Sequence, residues 1–126
     1  MTLTPLLSLT GKPSRLLEYI AKPKGKYMIH VIAIVTAKPG QRDLLLAEFR
    51  KVIPLVLGEA GCIEYHAALD ALDASPAFGP DVFVVIEKWQ SREMLDAHST
   101  SQHMNQYANH TAHLVDEASV YVLMKA

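Results

Sequence analysis

Two segments of this chain, "MIHVIAIVTA" and "VFVVIEKW", are apolar on both sides of an extended strand, and this restricts the fold more than any other feature. Side chains alternate across a strand, so the first segment sends Ile29, Val31, Ala33 and Val35 one way and His30, Ile32, Ile34 and Thr36 the other. The second sets Phe83 and Val85 against Val82, Val84 and Ile86. Connecting helices cover only one face of a sheet made from such strands, and a solvated second face would alternate more cleanly. At 126 residues the chain is one domain, with few further elements to spend on a second cover. The economical cover is the sheet of a second copy, which predicts a two-fold homodimer with a sheet-on-sheet core.

The rest of the chain supplies the partners of these strands. Residues 41–57 place Leu45, Phe49, Val52, Ile53 and Val56 on one helical stripe, with a bend or an end expected around Pro54. The turn "GEAG" leads into a second strand, "CIEYHAALD", and the Pro-, Gly- and Asp-rich "ALDASPAFGPD" is longer than an ordinary hairpin loop, as lids and contact surfaces often are. After "VFVVIEKW" come two short helical segments, starting near Ser91 and Ser101, and then a last strand, "SVYVLM". The order β-α-β-β-α-β predicts an α+β, ferredoxin-like sheet with its helices on one face.

Charge divides the chain in two. Residues 1–27 carry five bases against one acid, and the remainder carries seven against twelve. This basic arm, with one helix-like piece at residues 14–21 and a linker at residues 22–26, reads as an appendage to a domain that starts at Met28. It has no recognised nucleic-acid motif, and pairing with the acidic body accounts for its charge, so no nucleic-acid partner is expected. No apolar run reaches the ~18 residues of a membrane-spanning helix, and the N-terminus lacks the pattern of a secretory signal, so a cytoplasmic protein without a membrane partner is expected. The lone Cys62 excludes an internal disulfide.

The candidate chemistry lies in "IEKWQSREMLDAHSTSQHM", which holds the only tryptophan and two of the six histidines. Alternation turns Glu87 and Trp89 to the same face as Phe83 and Val85. On the first helical segment His98 shares a face with Met94 and Leu95, and on the second His103 borders a stripe of Met104, Tyr107, Ala108 and Thr111. Either histidine suits a general base, and Trp89, Tyr65 and Tyr107 suit a flat slot for an aromatic ring. Glu87 suits orienting a histidine or pairing with a cation. Metal ligation is not expected: His98 and His103 are five apart across a helix break, and His110 and His113 have the right spacing but no acid placed beside them. No phosphate loop or dinucleotide fingerprint appears, so no cofactor is expected.

In this order and spacing, the opening strand running into "KPGQ", then "VIPLVLGEAGCIEY", "IEKW" and "LDAHSTSQHM", resemble the antibiotic biosynthesis monooxygenase (ABM) family, in particular its quinol-monooxygenase-like members. The resemblance spans residues 28–126. It implies a dimeric α+β barrel, a pocket between the sheet and the helices after the third strand, and oxidation of a hydroquinone or polycyclic phenol by O₂ without metal, flavin or haem. The motif positions it carries over are Tyr65, Glu87, Trp89, His98 and His103. Haem-degrading relatives use an Asn on the first strand and a Trp on a later helix, neither of which is present, so haem breakdown is disfavoured. Two other functions suit the same fold: isomerase-type proton transfer on a small carbonyl compound, and non-catalytic small-molecule binding.

Overall fold

The computed structural model describes residues 27–126. The helix and linker expected in the basic arm lie outside the described residues. Four strands, β1 (Ile29–Ala37), β2 (Cys62–Ala68), β3 (Val82–Trp89) and β4 (Val115–Met124), form one sheet of order β2-β3-β1-β4. All its neighbours are antiparallel. The two doubly apolar segments are the two central strands, where each is flanked on both sides. Helix α1 (Arg42–Leu57) connects β1 to β2, and α2 (Arg92–Ser99) and α3 (Gln102–Thr111), followed by a 3₁₀ turn at Ala112–Leu114, connect β3 to β4. This is the α+β ferredoxin-like arrangement expected, with the second helix divided in two.

The core lies between the helices and one face of the sheet. Val31, Phe83 and Trp89 are exposed by no more than 1% there, and Leu45, Phe49 and Val56 of α1 close over them. Phe49 is the hub, with its ring centroid 5.3 Å from that of Tyr65 and 5.6 Å from that of Phe83. Helix α1 does not stop at Pro54 but runs one residue short of Gly58, whose N–H donates to the Pro54 carbonyl at 3.2 Å. A proline this close to the end forfeits one helical hydrogen bond and leaves little helix to deflect.

Two boundaries differ from expectation. Strand β4 starts at Val115, four residues before "SVYVLM", because Val115, Glu117 and Ala118 pair with β1, with Asp116 taken up in a register shift at Thr36 and Ala37. Asp116, Glu117 and Ala118 are exposed on an edge strand, where polar side chains carry no burial cost and leave no alternating pattern to read. The β2–β3 loop, residues 69–81, is organised by Asp70, whose carboxylate accepts from the N–H groups of Ala77, Phe78 and Gly79. Those bonds hold its carboxyl below the usual carboxylate range. The loop supplies no residue to the cavity described next, so in a single chain it is not a lid over it.

Candidate active site

Between the helix-covered face of the sheet and α2 and α3 lies a cavity of about 400 Å³. Its walls are mainly apolar, from Val31, Ala33 and Val85 of the sheet to Phe49, Leu95 and Met104 of the helices. Its polar groups are few: Tyr65, Glu87, His98, Ser99, Asn105 and Tyr107. A mostly apolar chamber of this size with a small number of convergent polar groups has the character of a small-molecule site.

His98 is placed by local sequence. Ser91 caps α2, its hydroxyl accepting from the Met94 N–H at 3.2 Å, and Ser101 caps α3, accepting from Met104 at 3.4 Å. The Ser101 hydroxyl also donates to the His98 carbonyl at 2.8 Å, fixing the break between the helices. The break sets His98, in the last turn of α2, and His103, in the first turn of α3, toward the same point. That point is Glu59, in the "GEAG" turn after α1. One of its oxygens, Oε2, lies 2.9 Å from His98 Nδ1 and 2.6 Å from His103 Nε2. A carboxylate only accepts hydrogen bonds, so both nitrogens carry their protons toward it. The turn itself depends on Gly61, which sits at φ +82, and a Cβ there would come within 2.4 Å of the Met94 side chain.

With Nδ1 occupied, the free nitrogen of His98 is Nε2, on the Glu87 side, 3.9 Å from Glu87 Oε1. The same Glu87 oxygen accepts the Trp89 indole N–H at 2.9 Å. Burial raises the Glu87 carboxyl above its ordinary range, against the pull of that N–H and of His98. The Tyr65 phenol is held well above its usual value by burial and then by the charge of Glu87, and that of Tyr107 is pushed up to about 12, again chiefly by burial. Both therefore remain donors at neutral pH. Burial and the nearby Glu59 and Glu87 charges raise the Cys62 thiol as well, which argues against a thiolate nucleophile.

Of the residues singled out in the sequence, Tyr65, Glu87, His98 and Tyr107 line the cavity together. Trp89 does not. It is fully buried behind the cavity, its ring centroid 4.7 Å from that of His98, so it backs the histidine and anchors Glu87 and forms no wall of a slot. His103 also lies outside the lining, on the far side of Glu59, facing a surface hollow with Glu48 and His110. The residue the sequence did not flag is Glu59. Nothing in a turn glutamate 39 positions before His98 marks it, and only the tertiary fold brings the two together.

Residues 28–110 match the family model "Antibiotic biosynthesis monooxygenase". The chain belongs to this family. It is 35% identical over 100 residues to "Probable quinol monooxygenase YgiN" of Escherichia coli (strain K12), covering 76% of this chain and 96% of that protein. The ABM fold recurs in solved structures. Rv0793 from Mycobacterium tuberculosis superposes with a TM-score of 0.66 at 27% identity, over 79% of this chain and 95% of that one. PA3566 from Pseudomonas aeruginosa gives 0.67 at 25% identity, over 79% and 95%. Membership of the ABM family and the likeness to a probable quinol monooxygenase support a monooxygenase at that level of description. No helix of the described residues is long and apolar enough to cross a membrane.

Proposed function

We propose that the protein oxidises a hydroquinone or polycyclic phenol with O₂, needing no metal or organic cofactor for the reaction, and that His98 is its general base. The observation that carries this is the placement of His98: Nδ1 is tied to Glu59, which leaves the Nε2 lone pair on the cavity side, in a largely apolar chamber. A phenol bound there loses its proton to Nε2, and the resulting electron-rich anion is itself the reductant of O₂. For a hydroquinone the four electrons leave the ring; one oxygen atom of O₂ enters the ring and the other departs as water, giving a hydroxyquinone. Exclusion of bulk water favours the anion's reaction over its reprotonation. Tyr65 and Tyr107, as donors, hold the substrate oxygens, and Glu87 is the second proton acceptor. Glu59 acts through His98 as a positioning residue, and His103 steadies Glu59 from outside. The name of the E. coli relative supports the quinol class.

A second copy of the chain covers the outer face of the sheet in this reading. Ile32 stands between Ile86 and Tyr121 on that face, and Ile34 lies beside Val84, one row along. Ile32, Tyr121 and Leu123 are 36%, 51% and 47% exposed in the single chain.

Oxygen uptake with a panel of hydroquinones and polycyclic phenols is the test. His98→Ala should lower turnover by about 10²–10⁴-fold with the thermal transition nearly in place. Glu59→Gln should lower kcat more than it changes KM, as expected for a group that orients the base without touching substrate. Full turnover in both variants would reduce the cluster to packing, and substrate binding without oxygen uptake would leave a binding protein.

A further inference from the structure

We propose that Glu59, His98 and His103 form a binding site for one divalent transition-metal ion of the zinc type, and that occupancy switches off the base at His98. The second half of the proposal rests on His98 being the proton acceptor; the first half does not. The three residues come from the turn after α1, the end of α2 and the start of α3, and they offer one carboxylate oxygen and two imidazole nitrogens, all within 4.8 Å of one another. Spacings of 2.9 and 2.6 Å between the oxygen and the two nitrogens need only small side-chain rotations to become edges of a coordination shell with bonds of about 2.0–2.2 Å. Two imidazoles and a carboxylate suit zinc, nickel or iron and not magnesium or calcium, which demand oxygen ligands. Two observations favour a cation at this point. Both ion-pair partners of Glu59 among the described residues are these histidines, and Glu87 stands 3.9 Å from His98 on the other side. The His103 and Glu59 side chains are 25% and 14% exposed, which leaves a way in from the surface that does not cross the cavity.

The effect on the base follows from where the protons go. Without the ion, His98 Nδ1 and His103 Nε2 each direct an N–H at Glu59. An ion bonded to those two nitrogens takes the place of both protons, and each imidazole keeps its single proton by carrying it on the other ring nitrogen. No proton or electron is lost from the pair. For His98 the proton then sits on Nε2, the cavity side, and the lone pair that would accept a phenol proton is gone. Because Glu59 and His103 lie outside the cavity lining, the ion sits behind the His98 ring, away from the substrate. It therefore acts as an inhibitor and takes no part in the chemistry.

The experiment is zinc titration of the full chain by calorimetry, with oxygen uptake on a hydroquinone measured at the same zinc concentrations. The wild type should bind one zinc per chain, and His103→Gln and Glu59→Gln should each weaken binding by at least about tenfold. His110→Asn should not, since His110 pairs with Glu48 at the surface and reports adventitious zinc there. Each protein's turnover is compared with its own zinc-free rate, and half-inhibition of the wild type should fall at its zinc dissociation constant. Should Glu59→Gln fail to fold, His103→Gln carries the comparison alone. Absence of one-to-one binding, equal affinity in the ligand variants, or loss of binding in His110→Asn overturns the site. Zinc binding that leaves turnover unchanged or raises it overturns the switch. An intact zinc site in a protein that turns over no quinol under any condition keeps the site and rejects both the switch and the functional reading on which it rests.

Discussion

The two faces of the central strands have nearly the same composition and opposite fates. On the helix side of β1 and β3, Val31, Val85 and Phe83 are buried almost completely. On the other side, Ile32 keeps more than a third of its surface in contact with solvent in the single chain, and its neighbour Tyr121, on the edge strand β4, keeps half. Local preference cannot explain the contrast, since β-branched and aromatic residues favour strands on either face. The difference lies in what covers them. Over β1 and β3 the inner face is completed by the chain's own helices, whereas Val120 of β4 on that side stays 63% exposed. The outer face presents a contiguous apolar surface of the kind that monomeric proteins rarely leave in water.

The largest effect that would sharpen this comparison belongs to the inner face. Phe83→Ala removes a fully buried ring from against Phe49 and should cost about 3–5 kcal/mol in denaturant unfolding, with no dependence on which face associates. A much smaller loss would mean that the helix-side core is looser than its burial indicates. The outer face should respond differently to insult. Ile32→Asp puts an unpaired charge in the middle of the proposed contact and should weaken self-association by at least about a hundredfold, seen by sedimentation, while the chain keeps its fold. A variant that sediments like the wild type would break the contrast between the faces.

The smallest effect is at the polar margin of the outer face. Glu64 pairs with His66 at 2.8 Å and with Lys88 at 3.8 Å, and the His66 hydrogen bond, followed by the charges, holds its carboxyl below the usual range. A depressed folded-state pKa stabilises the fold above the unfolded value, and that stabilisation is lost as pH falls through the folded one. Glu64→Gln should therefore lower the thermal midpoint slightly at neutral pH and have no effect once acid has protonated Glu64 in the wild type. In a margin open to water the neutral-pH difference should also fade in high salt. Persistence in high salt would place this margin inside the interface.

The sheet was legible in the sequence because it rests on alternation, which one strand displays by itself. The caps at Ser91 and Ser101 were legible for the same reason, since capping is a matter of a few consecutive residues. The site was only half legible. Glu87, Trp89 and His98 could be assigned to the inner face, but alternation cannot say whether an inward residue reaches a cavity or stands behind it, and Trp89 stands behind. Glu59 was invisible because its partners come from two other elements. The helix break that made a metal pair of His98 and His103 unpromising on spacing alone is the feature that turns both rings to one carboxylate.

Strand β4 belongs to two surfaces at once. Ala118 and Val120 line the cavity, while Tyr121 and Leu123 of the same strand look out from the opposite face. If a second copy seats on that outer side and shifts the strand, occupancy of the cavity and association of the chains become thermodynamically linked. The linkage is reciprocal: whatever factor dimerisation contributes to ligand affinity, the ligand must return to the dimerisation constant. Cavity affinity would then vary with protein concentration, and dilution alone would serve as an antagonist.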